Sequence, residues 1–185
     1  MDKHEERTIF GFWLYLMTDL LMFGALFAAY AVLHNNTFGG PKGSDLFNLQ
    51  FVLSETLLLL TSSFTVGLAL VYGQNASKKQ MLIWLGITFL LGAGFLGLEL
   101  SEFSKLITEG NSWGRSAFLS SYFSLVGTHG LHIASGLIWL GLLFYKFVTV
   151  GINKNLVRKL TLFSLFWHFL DIVWIFIFTI VYLIS

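Results

Sequence analysis

The chain has 185 residues, of which 56% are hydrophobic and 11% charged, with 18 glycines besides; soluble domains carry about 25% charged residues. Water is the wrong solvent for such a composition, and a net charge of +1 with no basic stripe leaves nothing that recommends nucleic acid as a partner. The lack of cysteine removes disulfides, thiolate zinc, iron–sulfur clusters, covalent c-type haem and thiolate copper together, so a metal would need His or carboxylate ligands.

The N-terminal MDKHEER carries both signs of charge, and the apolar run behind it, Ile9 to Leu33, far exceeds the roughly 7 to 15 residues of a signal-peptide core. It reads as a first membrane helix, 9–33. Turn chemistry at Asn35 to Pro41, which includes the only proline, leads into a second helix at 51–73. After Gln74 to Ser77 comes a third at 81–109, whose uncharged part ends near Leu98. Gly110 to Ser112 turns the chain into a fourth helix at 116–148, and Gly151 to Lys154 into a fifth at 156–184. The expectation is an all-α, polytopic membrane protein, with residues 1–185 forming a single five-helix transmembrane domain. The ten-residue alternation of a closed β-barrel is absent.

Counting Lys and Arg on alternate sides orients the chain. Lys3, Arg7, Lys78, Lys79, Lys146, Lys154, Arg158 and Lys159 share one side, whereas Lys42, Lys105 and Arg115 occupy the other. That asymmetry predicts the N-terminus inside and, after five spans, the C-terminus outside.

Ionisable groups at membrane depth cost at least about 2.5 to 3.5 kcal/mol each, so each needs a partner or a purpose. Rise along the helices places Asp19 about 15 Å deep, His168 about 12 Å and Asp171 about 16 Å. His168 and Asp171 are spaced i, i+3 on one face, and Asp19 joins them if helices one and five pack together. Glu55, Glu99, His129 and His132 form a second, outer polar layer, with Glu99 and His129 meeting across the hairpin of helices three and four. Interhelical hydrogen bonding is the commonest role for such groups. Proton transfer is a second reading for the deeper layer, and lipid head-group contact one for the outer layer and for Arg158 and Lys159. A metal site at His129-x-x-His132 beside Glu99-x-x-Glu102 is a weaker reading, because the Glu-x-x-His motif of di-iron bundles is missing.

The segment GTHGLHIASGLIW, Gly127 to Trp139, and LFWHFLDIVWIFIFTIVYL, Leu165 to Leu183, resemble the two signature helices of subunit III of haem-copper respiratory oxidases. The spacing of His129, His132, His168, Asp171 and Trp174 makes the likeness specific. FGFWLYLMTDLLMFGALFAAYAVL at Phe10 to Leu33, FVLSETLLLLTSS from Phe51 and FLLGAGFLGLELSEF to Phe103 extend it over nearly the whole chain. Its five-helix length is most similar to the bacterial, ubiquinol-oxidising cytochrome o branch. Asp19 stands where many relatives of the cytochrome c branch carry Glu.

The resemblance implies a non-catalytic subunit of the aerobic respiratory chain, in the bacterial cytoplasmic (inner) membrane. It holds no cofactor of its own: haem and copper belong to partner subunit I, which reduces oxygen and pumps protons. The implied partners are subunit I chiefly, then subunits II and IV, with phospholipid bound in a V-shaped cleft. The implied roles are stabilising subunit I, holding lipid and supporting proton uptake. Two other classes stay open on the residues alone. One is a small proton-coupled transporter built on Asp19, His168 and Asp171; the other is a membrane metalloenzyme built on His129 and Glu99.

Overall fold

The computed structural model describes residues 3–37 and 49–184, with side chains from residue 6 onward. Lys3 as a side chain, and Phe38 to Lys42 with the sole proline, therefore lie outside the described residues. The described residues form five helices and no strand: α1 (Lys3–Leu33), α2 (Leu49–Gln74), α3 (Lys78–Thr108), α4 (Ala117–Val150) and α5 (Lys154–Ile177), closed by a π-helical turn (Phe178–Leu183). Each is long and apolar enough to cross a membrane. α1 and α3 begin earlier than their apolar windows, because the charged residues ahead of Ile9 and Met81 continue the helical backbone.

Local chemistry sets the ends. α4 starts where the Ser116 side chain accepts from the Leu119 N–H, and α5 where the Asn153 side chain accepts from Leu156 at 2.8 Å. α3 ends at Gly110, whose φ of +80° suits glycine and lets the N–H groups of Gly110 and Asn111 reach back to the carbonyls of Ile107 and Leu106. Arg115 then donates to Asn111 Oδ1 at 2.6 Å and braces the turn.

Four helices form a ring in which α2 packs on α3, α3 on α4, α4 on α5 and α5 back on α2, while α1 lies outside against α4 and α5. The chain runs up and down. Lys78 Nζ donates to the Val148 carbonyl at one end, and the Phe118 N–H to the Asn36 carbonyl at the other. Two tryptophans of α5 hold the middle. The Trp167 indole N–H donates to Ser62 Oγ at 2.9 Å and that of Trp174 to Thr56 Oγ1 at 3.0 Å, both on α2. Thr65 and Thr88 share a hydroxyl hydrogen bond of 2.8 Å between α2 and α3. In a membrane interior apolar contact alone is little better than contact with lipid, so these bonds and close aromatic packing select which helices pair. Thr56→Val keeps the shape but strands the indole N–H of the fully buried Trp174. A loss of about 1–3 kcal/mol is expected, read as earlier unfolding of the chain in a detergent titration.

Candidate functional site

The polar residues singled out in sequence fall into three places. Asp19 of α1 faces His132 of α4, with Oδ2 3.6 Å from Nε2. That distance makes an electrostatic contact and is too long for a hydrogen bond. His132 Nδ1 lies 2.8 Å from the Thr128 carbonyl. A carbonyl only accepts, so Nδ1 carries its hydrogen there and Nε2 is left to Asp19. The ring of Phe23 packs beside the pair, 5.3 Å from the His132 ring centre.

His168 and Asp171 belong to a different contact. His168 Nδ1 and the Ser63 hydroxyl form a short hydrogen bond between α5 and α2, and Ser63 also adjoins Asp171. The layer expected to join helices one and five is thus divided: Asp19 turns to α4, and the α5 pair turns to α2. The reason is position in the bundle. α1 sits outside the ring and meets α5 through aromatic side chains, among them Tyr15 on Phe166 and Phe27 on Phe176.

The outer layer is the third place. Glu55 and Glu99 are buried, and the electrostatic neighbours of Glu99 are Glu55 and Glu102. Glu102 Oε2 accepts from the hydroxyls of Tyr122 at 3.3 Å and Tyr182 at 3.2 Å, which are 3.0 Å from each other. Glu99 reaches α4 beside Gly130, one residue after His129, but no hydrogen bond joins the Glu99 carboxyl to the His129 imidazole. His129 itself is enclosed by rings: stacked on Trp174 at 5.2 Å, with Phe95 edge-on at 5.9 Å and Phe23 at 6.4 Å.

Sequence reasoning missed Tyr122, Tyr182 and the Ser62–Ser63 pair. Tyr182 enters the cluster on the π-helical turn, which a regular 3.6-residue period does not foresee. The run Thr61-Ser62-Ser63 in mid-helix was a usable signal, since hydroxyls there bond either the preceding turn or a neighbouring helix.

His129, His132 and His168 are engaged separately, and among the described residues no group of three or more His, Asp or Glu side chains converges as a metal's ligands. At the opposite end of the bundle a cavity of about 700 Å3 is bordered by Asn153, Lys154 and Arg158 on α5, with Ile9, Leu162 and Leu165 as apolar wall. Lys159 is not on that wall.

The family model for cytochrome c oxidase subunit III matches residues 5–185. The chain is 54% identical to the cytochrome bo(3) ubiquinol oxidase subunit 3 of Pseudomonas aeruginosa, over 97% of this chain and 86% of the relative. It is 51% identical to the protein of the same name from Pseudomonas putida, over 97% and 87%. A cytochrome c oxidase subunit 3 from Bacillus sp. strain PS3 is 47% identical over 97% and 87%. With the motifs of α4 and α5 inside a five-helix membrane bundle and a family match spanning nearly the full length, this chain belongs to the cytochrome c oxidase subunit III family.

Proposed function

We propose that the chain is the non-catalytic third subunit of a ubiquinol-oxidising, proton-pumping haem-copper oxidase in the bacterial cytoplasmic membrane. Its identity with the two Pseudomonas subunits, at 54% and 51% over almost the whole chain, carries this reading. Haem and copper then reside in subunit I, on which this chain docks together with subunits II and IV. As one five-helix domain it stabilises subunit I, holds phospholipid and supports proton uptake. The cavity at Arg158 favours lipid there: Lys154 and Arg158 offer charge to a phosphate, Asn153 caps α5 beside them, and the wall below is apolar. The proton-related groups under this reading are Asp19, His168 and Asp171, with His132 moved from the outer layer to the side of Asp19, while Glu55, Glu99 and His129 serve the outer layer.

Purification in mild detergent with subunit identification tests the proposal. The chain should co-purify with a haem-bearing subunit, and the complex should oxidise a ubiquinol. The 47% identity to a cytochrome c oxidase subunit favours one second reading, a complex fed by cytochrome c, and the same preparation decides it by which donor sustains oxygen uptake. Isolation of this chain alone, with no redox-active partner, would revive the small transporter.

The proposed orientation has the N-terminus in the cytoplasm and the C-terminus outside, from the Lys and Arg asymmetry. A periplasmic-type reporter fused after Ser185 is expected to be active. Activity of a cytoplasmic reporter at the same point would reverse the orientation.

A further inference from the structure

A second cavity, of about 450 Å3, opens between α3 and α4 on the flank of the bundle. Leu96, Phe103, Phe123 and Leu131 wall it, with Gly127 and Thr128 of α4 between them. Its one carboxyl is Glu99. That side chain crosses so close to α4 that a Cβ on Gly130 would stand 2.7 Å from Oε1, so glycine is what lets it lie there. Glu99 is 2% exposed, and among the described residues neither of its oxygens has a hydrogen-bond donor.

Buried polar atoms are seldom left unsatisfied in native proteins. The neighbours that act on Glu99, Glu55 and Glu102, are carboxyls themselves, and the hydroxyls of Tyr122 and Tyr182 are directed to Glu102. Among the described residues no donor reaches Glu99, so its carboxyl is open to one from outside the chain. The cavity faces the hydrocarbon between Leu100 and Leu131, which are 57% and 72% exposed, so whatever reaches Glu99 is apolar along its length. A mainly apolar wall with one carboxyl and the hydroxyls of Ser124 and Thr128 fits small-molecule sites, whose volumes run from about 300 to 1,000 Å3.

We propose that this cavity binds the hydroxyl end of a neutral, membrane-dissolved alcohol. The hydroxyl donates to Glu99, and the hydrocarbon lies against Phe103, Phe123 and Leu131. The site is distinct from the cavity at the opposite end, whose Lys154 and Arg158 suit an anion.

The test uses the chain as purified with its co-isolated subunits, photolabelled either with a diazirine-bearing hexadecanol or with the methyl ether of the same probe. Adducts are read on this chain's own peptides, so the result does not depend on which partners co-purify. The α3 and α4 peptides bordering the cavity should be labelled about three- to tenfold more by the alcohol, the worth of one net hydrogen bond. Glu99→Met should lower the alcohol to the level of the ether. Gly127→Leu keeps Glu99 but grows into the cavity from a Cβ position 3.6 Å from Phe103, and should remove labelling by both probes. The comparison of the two probes on the unmodified protein decides the matter even if a variant fails to assemble. Equal labelling by alcohol and ether would overturn the proposal. So would labelling that survives Gly127→Leu, or a cross-link placing a transmembrane helix of another subunit in the groove.

Discussion

Trp167→Ala is expected to destabilise the bundle by about 3–5 kcal/mol, the range for deleting a large buried aromatic. The ring is fully buried, and its N–H is bonded to Ser62. It lies between two glycines on different helices: a Cβ on Gly92 of α3 would stand 2.9 Å from the ring, and one on Gly136 of α4 would stand 2.8 Å from it. One side chain of α5 thus sets the approach of three other helices. Ala at 167 leaves a cavity that rigid helices cannot close, and Ser62 loses its donor. The converse substitution, Gly136→Val, overfills the same place and should cost about 1–3 kcal/mol or more, since Phe166 at 3.2 Å blocks the other escape for the ring. Both variants should show loss of the chain from purified complexes and a lowered unfolding midpoint, Trp167→Ala the more severe. Normal retention and stability in Trp167→Ala would mean that partner contacts, and not this packing, hold the subunit together.

Asp19→Ala is expected to cost about 1–3 kcal/mol, because His132 Nε2 loses the carboxylate 3.6 Å from it in a mostly apolar surrounding. α1 should loosen, since this contact is one of its polar ties to the ring. The pairing itself is tested by double-mutant cycles. Asp19→Ala and His132→Ala should be non-additive, with a coupling of about 0.5–3 kcal/mol, whereas Asp19→Ala and His168→Ala should add. Coupling of Asp19 to His168 in place of His132 would restore the single mid-membrane layer read from helix depth.

That layer shows where sequence reasoning stops. Depth along a helix follows from a constant rise, so the sequence alone assigns a level to Asp19, His168 and Asp171. It does not assign azimuth. Whether Asp19 turns to α5 or to α4 depends on α1 lying outside the ring, and nothing within α1 encodes its place beside helices far away in sequence. The place of Glu99 beside Gly130 depends less on distant helices, because α3 and α4 are joined by a short turn, which makes pairing nearly a local property. Arg158 was legible as a charge at a helix start, yet only the fold shows a cavity beside it that Lys159 does not reach.

By itself the sequence determined five apolar spans, the turns at Gly110 and Gly151, and the family, because length, hydropathy and strings of adjacent residues are one-dimensional quantities. The tertiary structure alone decided which polar group answers which: His132 for Asp19, Ser63 for His168, the two tyrosines for Glu102, and, among the described residues, no donor for Glu99. The physical reason is that lipid is as apolar as the helices' own surfaces, so pairing in a membrane is settled by a few hydrogen bonds and close approaches at glycine, and those exist only once helices distant in sequence stand side by side.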